Sequence, residues 1–172
     1  MTKRLASHNP PVPAGGSTIA INGLLGLSLL KLTYAVSKKT WEQELINQLN
    51  TEFAIEDSFL KAENIFIKAM DEDAIAFKKS IESKEILKDI IEIPLRIAGS
   101  SKNLHQQASK IEPHIKNTVL ADHQIAKENL ISSIKGGINI IESNYNFFDK
   151  NSAYIRETKN KIEKLKEYLK KR

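Results

Sequence analysis

An apolar run from Ile19 to Val36, entered through Pro11-Val12-Pro13-Ala14-Gly15-Gly16-Ser17, limits what this chain can fold into more than any other feature. A helix that is apolar on nearly all sides must be covered on nearly all sides, by other helices or by lipid. Asn22 and Lys31 interrupt the run, and the Pro/Gly cluster stands where a signal peptide would pass straight into its apolar core. Both features favour a central buried helix over a membrane span or a leader. The expectation is a bundle built around this helix, with no membrane involved and a cytoplasmic location.

The entry to the run is a signal of its own. Two prolines fix the backbone, two adjacent glycines free it, and Ser17 stands where a helix should start. Such a turn presents unpaired N–H groups, which suit an anionic or carbonyl-bearing ligand. It is neither a phosphate-binding glycine fingerprint nor a nucleophile elbow.

The remaining sequence reads as all-α: a single-domain bundle of about five helices, one of them long. The expected helices run from about Ser17 to Lys38, Thr40 to Ser83, Lys84 to Ile111, His114 or Asn117 to Phe148, and from Asn151-Ser152 to the end. Pro94 is expected to kink or split the third, and Gly136-Gly137 in the fourth permits a close crossing or a ligand. At 172 residues the chain fits one domain, 1–172, in which 1–16 form an N-terminal turn segment and 152–172 a basic C-terminal helix. The absence of cysteine excludes a disulfide scaffold, a thiolate metal site and a cysteine nucleophile. Net charge is +5, much of it in Lys159, Lys161, Lys164, Lys166, Lys170, Lys171 and Arg172. These alternate with Glu157, Glu163 and Glu167 at helical spacing, which reads as a solvated, ion-paired face and not a nucleic-acid surface.

Polar residues on apolar stripes mark candidate chemistry. Asp73 lies three residues after Met70 and four before Phe77, and Asp122 three after Val119 and four before Ala126. Helical geometry is expected to turn each carboxylate toward the apolar face, and at Asp73 burial is expected to raise the pKa toward the range of a general acid or base. A carboxylate capping a neighbouring helix has the same pattern. Asn144, near Ile141 and Phe148, offers an amide. His105, His114 and His123 lack the spacing of a metal pair and are expected at the surface or its boundary, so no metal site is assigned.

Several stretches together resemble one family. Leu5-Ala6-Ser7 and Pro11 to Ser17 resemble the opening of the formimidoyltetrahydrofolate cyclodeaminase and methenyltetrahydrofolate cyclohydrolase family, in which a Pro-x-Pro-Gly-Gly-Gly-Ser turn precedes a helix ending in Leu-Thr. Leu32-Thr33-Tyr34, Asp71 to Phe77, Ile93-Pro94-Leu95, Asn117, Ala121 to Ala126, Gly136 and Asn144 match later motifs of that family in order, with Asn117 about one residue closer to Asp122 than in the family's pattern. Ala14 and Ala121 replace a glycine and a serine of the pattern, and a Leu-Pro-Lys stretch after Phe77 is missing.

The resemblance implies a helical dimer that takes a tetrahydrofolate derivative as substrate, with no permanently bound cofactor and no metal. It implies either cyclisation of the formimino derivative with loss of ammonia or hydrolysis of the methenyl derivative; a catalytically inactive folate-binding or structural dimer of the same fold is the alternative. Under it Asp73 is the general acid/base and Asp122 orients the ligand or shares the proton. Gly15, Gly16 and Ser17 face the pterin or the folate carboxylates, Asn117 and Asn144 hold pterin edges, and Lys38 or Lys39 attracts the glutamate tail.

Overall fold

The structure is a computed structural model and describes residues 15–83 and 88–171. The motifs within residues 1–14, including Pro11 to Ala14 of the entry turn, lie outside the described residues. Six α-helices follow one another: α1 Gly15–Lys38, α2 Gln43–Phe53, α3 Ile55–Ser83, α4 Asp89–Ile111, α5 Leu120–Asn144 and α6 Ala153–Lys170. No strand occurs among the described residues.

Four of these helices form an up-and-down bundle. Ser17 meets Asp73 and Lys31 meets Glu63, so α1 and α3 run antiparallel. Asn22 meets Ser132 and Thr33 meets His123, so α5 is antiparallel to α1 on its other side. Ser101 meets Ser133 and Ala108 meets His123, which sets α4 antiparallel to α5 and closes the ring. Short connections between antiparallel neighbours make this topology the natural one for such a chain. α6 covers the outer faces of α4 and α5, where Ile155, Ile162 and Leu165 pack with Ile91, Ile134, Ile138 and Ile141.

Small residues let α1 sit this deep. A Cβ added to Gly26 would stand 2.9 Å from the Ala126 carbonyl, and one added to Gly137 would stand 2.9 Å from the Ala98 methyl. The glycine pair of α5 therefore serves helix crossings. Polar stitching accompanies it: Ser101 donates to Ser133 at 2.9 Å, and Ser133 donates to the Ile19 carbonyl at 2.8 Å. Both hydroxyls are buried, so each bond also avoids the desolvation cost of an unpaired group.

Three boundaries differ from the sequence expectation. The long second helix is two, because Ala54 takes a left-handed conformation (φ 42°) and donates its N–H to the Asn50 carbonyl, ending α2. Neither glycine nor proline marks that break. The fourth helix starts at Leu120, after 3-10 turns at Glu112–His114 and Asn117–Val119, and gives way to another at Tyr145–Phe147. Pro94 does not split α4, for a reason found at the candidate site. The last helix starts as expected, with Ser152 Oγ accepting from the Ile155 N–H at 3.2 Å.

His105 and His123 are buried, not peripheral. His105 Nδ1 lies 2.6 Å from the Tyr168 hydroxyl and anchors the end of α6. His123 Nε2 is 3.0 Å from the Ala108 carbonyl, which can only accept, so this nitrogen carries the proton. Its Nδ1 is 3.2 Å from Thr33 Oγ1. Burial holds its pKa below the ordinary histidine value.

The left-handed alanine generates a prediction. Ala54→Gly removes the Cβ strain at an exposed position, and should stabilise the protein by about 1 kcal/mol, or about 2–4 °C in Tm. An unchanged or lowered thermal midpoint would show that the α2–α3 break carries no such strain.

Candidate functional site

The N-terminus of α1 and the middle of α3 meet at a buried carboxylate. Asp73 Oδ2 accepts from the Ser17 backbone N–H at 3.1 Å, and Asp73 is only 9 % exposed. Gly16 makes the approach possible: a Cβ there would stand 2.1 Å from Asp73 Oδ1. Ser17 Oγ donates to the Met70 carbonyl at 3.1 Å, one turn before Asp73. Burial pushes the Asp73 carboxyl up from its ordinary value, and hydrogen bonds from Ser17 draw it part of the way back. The result is a carboxyl that keeps its proton longer than a solvated aspartate and faces a helix N-terminus.

Asn144 lies at this same end of the bundle, one turn beyond Ile140, which Gly15 approaches. Its amide Nδ2 donates to the Ile90 carbonyl at 2.7 Å. That carbonyl is the one Pro94 cannot serve, since proline has no N–H to return to residue i−4. Asn144 supplies the missing donor, and α4 runs on through the proline. The amide thus has a structural duty that spacing alone did not reveal.

Asp122 and Asn117 lie at the other end of the bundle. Their level is marked by His123 beside Thr33, and Thr33 is seventeen residues along α1 from Gly16, about 25 Å at the helical rise. Asp122 is half-buried in the first turn of α5, and Asn117 is exposed where the second 3-10 turn opens. On the stripe that includes Val119 and Ala126, His123 takes the buried position. Both residues 122 and 123 fit that spacing, and only packing chooses between them. A single chain therefore unites Gly15, Gly16, Ser17 and Asp73, has Asn144 nearby, and holds Asp122 and Asn117 apart.

Asp122 nevertheless shares a face with the open side of α1. Residues 122, 125, 129, 132 and 136 form one stripe of α5, in which Ser132 meets Asn22 and Gly136 meets Ile19. Ile125 in that stripe is 53 % exposed, beside an α1 surface where Leu25 and Leu32 are 51 % and 49 % exposed. Among the described residues no three His, Cys, Asp or Glu side chains converge as a metal site would require.

Two tests follow from this geometry. Above about pH 4, where an unfolded aspartate has lost its proton, the folded chain still binds more proton at Asp73, so this group's contribution to stability falls as pH rises through its raised folded-state pKa. Asp73→Asn should flatten that slope in thermal midpoints taken across the window; parallel curves for variant and parent would refute the burial cost. Asn144→Ala should cost about 1–3 kcal/mol by leaving the Ile90 carbonyl unpaired. Adding Pro94→Ala, which restores a backbone donor, should recover part of that loss in denaturant titrations, whereas simple additivity would disprove the pairing.

A family model described as formiminotransferase-cyclodeaminase matches residues 1–164 of the chain. No curated protein matches it.

Proposed function

Since the chain belongs to the formiminotransferase-cyclodeaminase family, and so to folate one-carbon chemistry, we propose that it acts on the one-carbon unit carried between N5 and N10 of tetrahydrofolate. The reaction is either closure of the formimino derivative with release of ammonia or hydrolysis of the methenyl derivative. In the first, N10 attacks the formimino carbon, the carbon–nitrogen bond to the amino group breaks, and that group leaves with a proton. In the second, water attacks the same carbon, the bond to N5 breaks, and the carbon stays on N10 as a formyl group. Each route needs one proton removed from the attacking group and one delivered to a departing nitrogen.

The observation that carries this reading is the Asp73 carboxyl, buried against Gly16 and Ser17, where desolvation raises its pKa from the ordinary aspartate value. A carboxyl that burial disposes to keep its proton can deliver it to a departing nitrogen and take it back. The Gly15-Gly16-Ser17 turn offers backbone N–H groups to the pterin or to the folate carboxylates, and no permanently bound cofactor or metal is required, because the reacting carbon is already electrophilic. Asn144 would present to a pterin edge whatever its Ile90 bond leaves over.

The working unit is a homodimer. The half-buried Ile21 and the exposed Leu25 and Leu32 of α1, with Ile125 beside them, form an apolar face that a second copy covers in an isologous contact. An antiparallel pairing of the two α1 helices carries the partner's Asp122 and Asn117 toward Gly16 and Asp73. α1 is long and apolar enough to cross a membrane by length and composition, but Lys31 is ion-paired to Glu63 midway along it at 2.8 Å. A protein partner accommodates that pair better than lipid does, and a soluble cytoplasmic dimer follows. The capping of α1 by Asp73 favours one other reading, an inactive folate-binding or structural dimer that keeps this carboxylate as a helix cap.

Mixed dimers test the proposal. Asp73→Asn should lower kcat by at least about 100-fold for methenyl formation or hydrolysis, with the fold retained. Co-refolding Asp73→Asn with Asp122→Asn chains should restore about one quarter of the parental activity, because half of the dimers then contain one intact site. Absence of any recovery would refute a site shared between the Asp73 of one copy and the Asp122 of the other. Full activity in Asp73→Asn would end its assignment as acid, and no turnover or thermal stabilisation of the parent by either folate would leave the inactive reading.

A further inference from the structure

A cavity lies far along α1 from Asp73. It measures about 390 Å³ and is lined by Lys31, Tyr34, Lys38, Lys39, Ile46 and Phe59, with Ala35 and Glu56 completing it. Its volume falls within the range of about 300–1,000 Å³ typical of small-molecule sites. The walls are of two kinds. Tyr34 and Phe59 meet edge to face at 5.7 Å, and Trp41 packs on Tyr34 at 5.4 Å, which makes a rigid aromatic wall. Three ammonium groups stand around it.

The cations are unequally engaged. Lys38 pairs with Glu56 at 2.6 Å and lies over the Tyr34 ring at 5.4 Å. Lys31 pairs with Glu63, which is not part of the lining. Lys39 is exposed at the end of α1. Within the lining itself, one carboxylate faces three ammonium groups, so the cavity favours an anion that also carries a flat apolar body.

We infer that this cavity binds the aminobenzoylglutamate portion of folate, its ring against Tyr34 and Phe59 and its carboxylates among Lys31, Lys38 and Lys39. The inference rests on the folate reading and on the dimer. A two-fold axis through the middle of the exposed α1 stripe sets Gly16 of one chain opposite about residue 37 of the partner's α1. That arrangement brings a lysine-rich cavity of one copy beside the Asp73 carboxyl of the other. A helix N-terminus facing lysines is unfavourable unless an anion lies between them, and the ligand supplies it. The pterin and the glutamate end of one folate would then be held by different copies.

The experiment separates this inference from the enzymatic reading by using a fragment with no one-carbon unit. Calorimetric titration of the full chain with p-aminobenzoyl-L-glutamate should show binding. Lys39→Gln combined with Lys31→Gln should weaken it by about tenfold, and Glu56→Gln should tighten it several-fold by removing the competing carboxylate. A gain in affinity cannot be explained by a damaged fold. Lack of fragment binding, or binding indifferent to all three substitutions, overturns the inference, and turnover of a folate by the same preparation would then leave the enzymatic reading standing. Fragment binding with the expected charge dependence but without turnover would uphold the cavity assignment and count against catalysis.

Discussion

The burial of α1 is the constraint on which the other contacts depend. It touches α3, α4 and α5, and its own polar atoms are matched one by one to its neighbours: Ser17 to Asp73 and Met70, the Ile19 carbonyl to Ser133, and Thr33 to His123. A central helix leaves no water for these groups, so each must find its partner inside the bundle. The small residues along it bring the neighbouring helices close enough for those bonds to form. Packing and hydrogen bonding are therefore one requirement here, met at successive levels of the same helix.

The same requirement produces the unusual carboxyl. Asp73 reaches the α1 N-terminus only because Gly16 has no side chain, and in reaching it the carboxyl leaves water. Two opposed effects then act on it: desolvation favours the protonated form, while the Ser17 hydrogen bonds favour the charged one. Desolvation prevails. A helix cap and a proton-holding acid are chemically the same arrangement, and what distinguishes them is a ligand that uses the remaining oxygen.

Pro94 and Asn144 show how distant parts of a sequence can share one explanation. Each was visible as an oddity, a proline inside a helical pattern and an asparagine on an apolar stripe. Only the fold shows that the second repairs the hydrogen bond the first removes. Ala54 was illegible for the opposite reason, since alanine carries no signature of a left-handed conformation and the helical pattern runs through it. His123 and Asp122 lie between: both satisfy the spacing of the α5 stripe, and a one-residue difference in rotation decides which is buried.

Read by itself, the sequence determined the helical class, the single-bundle organisation, the central position of the Ile19–Val36 run and the family, because these depend on periodicity, composition and the order of short motifs. It also marked Gly16, Ser17 and Asp73 as residues of one kind of chemistry. The tertiary structure decided which of the marked residues meet. Antiparallel packing brings residue 73 back to residue 16, and the same packing carries residue 122 to the far end of α1. Distance along a chain says nothing of distance across a bundle; that depends on where each helix turns back, as at Ala54 and Leu120, and such turns are set by local backbone geometry that neither periodicity nor motif order encodes.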